Sequence, residues 1–341
     1  EDIGGVVYIA ELAENTAHIV YENIHHHLKG LVSKFVLREF IAECSSIQGL
    51  CFNEDVNIKQ LISRWELFQS KIEMVCDNVD IKRSRTGSVK SFSDYKEQIK
   101  AYKEKGFNNV GVSPGKNWPT FTNHYRPAKG MLNIFTGIPS HGKSEFVDAL
   151  MINLSMELGW KWAVYSPENW PVELHAQKLM EKILGYSFFD FNQDNFNFAY
   201  DFLCRHFKII EPDEDNITVD SILKLFREAI QKHGVDGCLI DPWNELDNTP
   251  EKNETLTAFI GRKLGKIRRF ARRNNVFAGI IAHPQKMYKE KGSKKYMVPR
   301  LYDISDSANW YNKADNGITI YRNFDTDIVD VHVQKIKFKV H

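Results

Sequence analysis

From about residue 131 onward, short apolar runs alternate with longer segments whose apolar side chains recur every three or four residues. Short apolar runs predict buried strands, and the longer spacing predicts helices with one buried face. The predicted strands are Leu132–Thr136, Trp162–Ser166, Gly237–Asp241, Val276–Ala282, Ile318–Tyr321 and Ile328–Phe338. The predicted helices are Lys143–Leu158, Pro171–Leu184, Val219–Lys232 and Leu256–Arg273. This alternation predicts an α/β fold with a mostly parallel central sheet and helices on both faces.

The pattern differs before residue 131. Residues 1–105 predict a smaller, mainly helical region, because the segments His27–Glu43 and Ile58–Cys76 carry apolar residues at helical spacing. Glycine and proline crowd the stretch that follows, at Gly106, Gly111, Pro114, Gly115, Pro119, Pro127 and Gly130. Such a stretch is typical of a linker with turns. We therefore expect a helical region of unknown role at 1–105, a linker at 106–130 and the α/β domain at 131–341.

Composition excludes several classes of protein. The 341 residues are 43% hydrophobic and 26% charged, which is ordinary for a globular protein, and the net charge is only +1. The five cysteines form no Cys-x-x-Cys pair, which argues against a disulfide framework or a structural zinc site. No apolar run reaches the roughly 18 residues that span a bilayer. We expect no membrane partner and an intracellular setting: cytoplasm or nucleoid, host cytoplasm for a viral protein, or an organelle matrix.

A phosphate-binding loop is the strongest chemical signal. Residues 137–144 read Gly137-Ile-Pro-Ser140-His141-Gly142-Lys143-Ser144, which is the Gly-x4-Gly-Lys-Ser pattern. Its glycines let successive backbone N–H groups face a phosphate, and the helix that follows presents its positive end to the same anion. Lys143 is expected to reach the β- and γ-phosphates and Ser144 to bind Mg²⁺. A predicted strand before the loop and a predicted helix after it favour ATP binding over a chance match.

Three polar residues follow other predicted strands. Hydrolysis needs a carboxylate for the metal and a group that activates water. Asp241 ends the apolar run Cys238-Leu-Ile-Asp241, and we interpret it as the metal carboxylate. Glu168 is the candidate that polarises water, and His283 the candidate that senses the γ-phosphate. Each has a structural alternative, namely a turn aspartate, a solvated loop glutamate and a packing histidine, but the phosphate loop favours the catalytic interpretation.

Basic residues suggest two further roles. Lys335 and Lys337 share one face of the last predicted strand. Two interpretations stay open for them: contact with the γ-phosphate of a neighbouring subunit, or a solvated edge strand that lysines protect from aggregation. The segment that follows His283 carries Lys286, Lys289, Lys291, Lys294, Lys295 and Arg300 against one acid, Glu290. We interpret this segment as a DNA-binding loop, although charge runs of this kind are often only solvated.

One apparent motif is rejected. Asn312-Lys-Ala-Asp315 matches the Asn-Lys-x-Asp signature with which GTPases read guanine. In those proteins the signature follows a buried strand, whereas here it precedes the predicted strand Ile318–Tyr321. The metal site should also read Asp-x-x-Gly, but this chain has Asp241-Pro-Trp-Asn244. We therefore do not expect guanine specificity.

Together, these motifs resemble the hexameric replicative DNA helicases of the DnaB and Twinkle class, most closely the phage-type and organellar Twinkle-like branch. The resemblance covers residues 117–341 and rests on Tyr125–Gly130 with Ile134–Glu145, on Ile281–Lys286, and on Tyr302–Gly317. It implies a RecA-like P-loop NTPase fold, a homo-hexameric ring with ATP and Mg²⁺ at subunit boundaries, and single-stranded DNA in the central channel. Primase and polymerase are the further partners implied.

The resemblance also implies individual roles. It places Lys143 and Ser144 on the phosphates and Mg²⁺, Glu168 on the attacking water, Asp241 at the metal and His283 as the phosphate sensor. The family usually ends this domain on a Lys-x-Arg finger, whereas this chain has Lys335-Ile-Lys337. Lysine lacks the planar, bidentate fork of arginine. This departure puts the action of Lys337 on a neighbouring subunit in doubt.

The expected activity is ATP-driven translocation on single-stranded DNA with duplex unwinding. Two alternatives stay open from the sequence. One is another RecA-class ATPase, such as a recombinase-like or regulatory ring that binds DNA without unwinding it. The other is a non-catalytic scaffold or loader in which nucleotide only holds an assembly together.

Overall fold

The structure is a computed structural model. It describes residues 21–51, 57–59, 61–65, 68, 91–105, 111–212, 217–247, 249–252, 254–285, 287, 289, 296–304 and 308–337, with the backbone only for 21–33, 102 and 105. The chain forms two compact units, Glu1–Glu97 and Gln98–His341. The boundary falls within a helix, Lys96–Lys105. It lies eight residues before the end that we predict for the N-terminal region.

The first unit is helical where it is described. Helix α1 spans Tyr21–Cys51 and contains the predicted segment His27–Glu43. Phe40 of α1 contacts two aromatic side chains of the following segment, Trp65 at 6.1 Å and Phe68 at 4.9 Å between ring centroids. Most of the predicted helix Ile58–Cys76 lies outside the described residues. A short 3-10 turn at Phe92–Tyr95 precedes helix α2, Lys96–Lys105.

A seven-stranded sheet organises the second unit. Its strands are β1 Leu132–Thr136, β2 Trp162–Tyr165, β3 Phe207–Ile209, β4 Gly237–Ile240, β5 Phe277–Ala282, β6 Asn316–Asn323 and β7 Ile328–Ile336. Their spatial order is β3-β2-β4-β5-β1-β6-β7, and every pair is parallel except β6 with β7. The central strands β1 and β5 are buried throughout, which explains their continuous apolar runs. All six predicted strands are present, and β3 is an addition.

Helices cover both faces of this sheet. The helices are α3 Pro119–Thr122, α4 Lys143–Leu158, α5 Val172–Leu184, α6 Gln193–His206, α7 Val219–His233, α8 Leu256–Asn274 and α9 Asn309–Lys313. Helices α4, α5 and α6 bury their apolar sides in one core, and α7, α8 and α9 bury theirs in the other. In the described part of the chain, no helix is both long and apolar enough to cross a bilayer.

Residues 111–130, part of the predicted linker, belong to the second unit and pack against its α4 and β1. Trp118 stacks on Phe146 of α4 with ring centroids 5.1 Å apart. Tyr125 is fully buried, and its hydroxyl donates to the Asn133 side chain in β1 at 3.0 Å. The glycines and prolines of this stretch therefore shape an irregular segment that is fixed to the sheet by aromatic side chains.

Candidate functional site

The phosphate loop joins the carboxyl end of β1 to the amino end of α4. Gly137 lies so close to β6 that an added Cβ would be 2.2 Å from the Ile320 carbonyl oxygen, so only glycine fits. Gly142 has a left-handed backbone with φ 87°, as the last residue before α4. The Thr136 hydroxyl donates to the Ala282 carbonyl at 2.8 Å. This bond fixes the start of the loop beside the end of β5.

Lys143 is the first residue of α4, and its side chain folds back over the loop. Its ammonium group donates to the Ile138 carbonyl at 3.1 Å. Burial lowers the pKa of Lys143 from its usual 10.5 to about 8, although the nearby carboxylates Asp241 and Glu168 oppose the shift. A buried cation with few compensating groups is well suited to bind a highly charged anion.

Asp241 follows β4 and forms a cluster with two hydroxyl groups. Ser166 donates to its Oδ2 at 3.2 Å. Burial raises the pKa of Asp241 to about 6, against a smaller opposing effect of hydrogen bonds from Ser144 and Ser166. Its Oδ1 is buried and has no hydrogen-bond partner among the described residues. An unpartnered carboxylate oxygen beside a serine hydroxyl is the donor set that Mg²⁺ uses in phosphate loops. These residues therefore fit the metal.

Glu168 and His283 face each other across the end of the sheet. Glu168 follows β2 and is half exposed, and its Oε1 lies 3.7 Å from His283 Nε2. His283 follows β5, and its Nδ1 is buried without a hydrogen-bond partner in the described part of the chain. Burial and the charge of Lys143 lower the pKa of His283, and Glu168 partly offsets them. The structure thus brings Lys143, Asp241, Glu168 and His283 to one edge of the sheet.

His141 links the loop to the hairpin between β6 and β7. It is buried, and its Nδ1 accepts a hydrogen bond from the Arg322 backbone N–H at 2.9 Å. Its ring contacts Tyr321 and Phe324 at centroid distances of 5.2 and 5.1 Å. Burial, Lys143 and Arg322 lower the pKa of His141, which favours the neutral ring that accepts this bond. Ser140 adopts φ 65° in the same loop.

Sequence reasoning missed a buried pair behind this edge. His175 of α5 lies with its Nε2 3.3 Å from Asp148 Oδ1 of α4, and both side chains are almost fully buried. Asp148 is one helical turn after Ser144, so the two share a helix face. The four-residue spacing from Ser144 was the one signal in the sequence that pointed to Asp148. The fold alone brings His175 opposite Asp148. Ser166 was missed for the same reason.

Comparisons with known proteins agree with this geometry. No family model matches the chain. The chain is 35% identical over 266 residues to the Twinkle homolog protein, chloroplastic/mitochondrial, of Arabidopsis thaliana. The match covers 73% of this chain and 36% of that protein, so the chain spans little more than a third of this relative. It belongs to the DnaB/Twinkle class.

Two solved structures show the same fold as this DnaB/Twinkle-class chain. One is a separately solved ATPase domain, which matches with a TM-score of 0.58 and 18% identity, over 73% of this chain and 92% of that one. The other is a DnaB-like replicative helicase, described with its interactions with primase. It matches with a TM-score of 0.57 and 19% identity, over 98% of this chain and 79% of that one. The predicted RecA-like fold with a mostly parallel sheet is thereby confirmed.

The two final-strand lysines lie away from the phosphate loop of their own DnaB/Twinkle-class chain. Lys335 donates to the Tyr311 carbonyl at 2.5 Å, and its ammonium group lies 4.7 Å from the centre of the Tyr311 ring. Lys337 lies 3.0 Å from Asp315, which is fully buried and also accepts from Arg268 and the Leu132 backbone. Asp315 therefore holds β1, α8 and the end of β7 together. This structural role accounts for the misleading guanine signature.

The predicted DNA-binding loop is described at two of its six basic residues. Lys289 is exposed and pairs with Tyr296 in an antiparallel bridge, with its ammonium group 5.4 Å from the ring centre. Arg300 is exposed, and its backbone N–H donates to Asp303 at 2.7 Å. The other four, Lys286, Lys291, Lys294 and Lys295, lie outside the described residues. The described ends of the loop leave the sheet next to His283.

Proposed function

We propose that this chain is the motor of an ATP-dependent replicative DNA helicase, which translocates on single-stranded DNA and unwinds duplex. The observation that carries the proposal is the convergence of Lys143, Asp241, Glu168 and His283 at one edge of the sheet. Nucleotide hydrolysis needs a phosphate cradle, a metal carboxylate and a group that activates water, and this edge offers all three. Membership in the DnaB/Twinkle class supports the step from ATPase to helicase.

The proposed roles follow from position. The loop from Gly137 to Ser144, including Ser140, His141 and Gly142, encloses the phosphates through its backbone N–H groups. Ser144 and Asp241 hold Mg²⁺, which neutralises charge on the phosphates when it is bound. Glu168 orients and polarises the attacking water. His283 lies close enough to Glu168 to transmit loss of the γ-phosphate into the basic loop that follows it.

The proposed assembly is a homo-hexameric ring around single-stranded DNA, with ATP between subunits. Its support is the class membership and the positions of Lys335 and Lys337 away from their own phosphate loop. Primase is a proposed partner, because a related structure is described with its interactions with primase. Polymerase is a second. An intracellular or organellar setting is proposed in view of the chloroplastic or mitochondrial relative.

Replacement of Lys143 tests the ATPase proposal. Lys143→Ala should abolish DNA-stimulated phosphate release, because it removes the buried positive charge from the phosphate loop. Lys116→Ala is the matched control, since Lys116 is exposed and lies outside the site. Circular dichroism and the unfolding temperature should show that both variants fold. Normal turnover in Lys143→Ala would refute the assignment.

Unwinding needs a separate test. A forked duplex with one labelled strand should be separated in the presence of ATP and Mg²⁺ by the wild-type chain and not by Lys143→Ala. DNA-stimulated ATPase activity without strand separation would favour a recombinase-like or regulatory ring. Removal of the charges at Lys294 and Lys295 should weaken DNA binding and reduce its salt dependence.

A further inference from the structure

A second basic surface lies on the opposite face of the sheet from α4, the helix that follows the phosphate loop. Helices α7 and α8 run side by side on the face of the sheet that α4, α5 and α6 do not cover. The groove between them has a volume of about 490 Å³. Its floor is formed by Leu223 and Phe270, which are both buried in the core. Its cationic rims are Lys224, Arg227, Arg262, Lys266, Arg269 and Arg273.

Four of the rim cations form no ion pair with a described residue, although Lys224 interacts electrostatically with Glu228. Arg262 pairs with Glu251 and Glu254, and Lys266 pairs with Asp220, the one acid of the lining. In the described ranges, no carboxylate lies within ion-pair distance of the remaining four, which are Lys224, Arg227, Arg269 and Arg273. The groove therefore concentrates positive charge although the whole chain has a net charge of only +1.

The arrangement of these cations indicates the shape of a partner. Arg269 and Arg273 are one turn apart on α8, and Lys224 and Arg227 are one turn apart on α7. The rise of about 1.5 Å per residue separates the two charges by about 6 Å along α8 and by about 4.5 Å along α7. Two parallel rows of this kind match a linear polyanion better than a single compact anion. The guanidinium groups can each bind a phosphate through two hydrogen bonds.

We propose that this groove binds the phosphate backbone of a single nucleic-acid strand, at a surface separate from the basic loop after His283. An acidic peptide is the less suitable occupant, because peptide interfaces depend on apolar anchors and the apolar floor is buried under charged rims. The proposal rests on the proposed function for its partner class. It adds a contact that would guide a strand along the outside of the domain.

Its location supports a separate role. Arg273 lies at the end of α8, shortly before β5 begins at Phe277, whereas the basic loop leaves the opposite end of β5 after His283. The Arg273 end of the groove and the basic loop therefore lie at opposite ends of β5. A strand held in the groove does not have to contact the nucleotide edge.

Charge reversal with a matched control tests the proposal. The groove variant is Arg227→Glu/Arg269→Glu/Arg273→Glu, and the control is Arg38→Glu/Lys116→Glu/Arg205→Glu, which makes the same charge change at exposed positions. The probe is a fluorescein-labelled 20-nucleotide oligothymidine, measured by anisotropy over a range of salt concentrations. Each phosphate contact on a single strand contributes about 0.7 to the slope of log affinity against log salt. The groove variant should lose about 2 from that slope and bind at least about tenfold more weakly at low salt.

Several results would overturn the proposal. One is an equal slope of log affinity against log salt for the control and groove variants. Another is a labelled deca-glutamate peptide that binds the groove variant more weakly than wild type while oligothymidine binds both equally. The neutral variant Arg227→Gln/Arg269→Gln/Arg273→Gln should also bind oligothymidine more weakly and with a smaller slope. This result would exclude repulsion by the introduced glutamates as the cause. ATPase activity without DNA should be unchanged in all variants. If the groove variant keeps its ATPase activity and its slope equals that of wild type, only the groove proposal is refuted. A wild-type chain without ATPase activity or DNA binding would refute the proposed function.

Discussion

Lys143 carries a charge that its surroundings poorly compensate, and this has a measurable consequence. Its pKa is lowered to about 8 by burial. A bound triphosphate favours the protonated form and raises this pKa, so the nucleotide-bound state is the one with the higher pKa. Binding is therefore fully favourable below about pH 8 and weakens, by up to about tenfold per pH unit, as the pH rises above that value. Titrations with a fluorescent ATP analogue between pH 7 and 9.5 measure this.

The control for the pH effect is Lys143→Met, which removes the titrating group and keeps an apolar stem of similar length. This variant should bind the analogue weakly, with an affinity that does not change between pH 8 and 9.5. An affinity that fell equally in both proteins would assign the pH dependence to another group and contradict the prediction.

Glu168 should contribute to the chemical step much more than to binding. Glu168→Gln keeps the size of the side chain and removes the charge that we propose polarises the attacking water. Loss of a general base reduces turnover by about 100-fold to 10,000-fold. We expect kcat to fall in this range while the dissociation constant for the ATP analogue stays within a few-fold of wild type. Glu173→Gln, an exposed position at the start of α5, is the matched control and should hydrolyse ATP normally.

At the scale of elements, a buried pair connects the helix of the phosphate loop to the helix that follows Glu168. Asp148 and His175 are both buried, and their closest atoms are 3.3 Å apart. His175→Ala would leave the Asp148 carboxylate without its partner in the core. We expect a loss of about 2 to 3 kcal/mol in the free energy of unfolding, which denaturant titration measures.

The exposed ion pairs between the same two helices provide the control for this loss. Glu145 contacts Lys178 and Lys182 at the surface, so Glu145→Gln should lower the free energy of unfolding by less than about 1 kcal/mol. His175→Gln should recover part of the stability, because its amide nitrogen can take the place of Nε2 and donate to Asp148. Equal losses in His175→Ala and Glu145→Gln would show that burial of the pair does not matter.

Elements differed in how well the sequence predicted them. Helix α4 has the predicted bounds, because Gly142 precedes it and Gly159 ends it with φ 69°. Helix α6 and strand β3 were not predicted. The segment Gln193–His206 mixes Asn, Asp and aromatic residues, which have modest helix propensity, and Phe207–Ile209 is only three residues long at the sheet edge. Packing onto the sheet, rather than local pattern, stabilises both.

The site was predictable where one residue follows one strand, and not where two elements meet. The parallel sheet places the residues after β2, β4 and β5 at one edge, so the sequence predicts that Glu168, Asp241 and His283 lie together once the phosphate loop is recognised. The contact of His141 with Arg322 spans 181 residues in sequence. No local pattern marks such a pair, because its geometry depends on how β6 lies beside β1.

At the scale of the whole molecule, Lys335 and Lys337 provide a test of ring assembly. Both already contact groups of their own chain, and both lie away from its phosphate loop. Any contribution of Lys335 to hydrolysis must therefore occur in a neighbouring subunit. In rings mixed from equal amounts of Lys143→Ala and Lys335→Ala chains, about a quarter of the interfaces should combine an intact loop with an intact Lys335.

The mixed rings should consequently hydrolyse ATP faster than the mean of the two separate variants, measured as DNA-stimulated phosphate release. Rings mixed from Lys143→Ala and Glu168→Gln chains are the control. In the proposed function both of these residues act on the loop of their own subunit, so every interface lacks one of them and mixing should restore nothing. If the Lys335→Ala mixture does not exceed that mean, and the separate Lys335→Ala variant keeps its ATPase activity but unfolds at a lower temperature, Lys335 does no more than fix β7 to Tyr311.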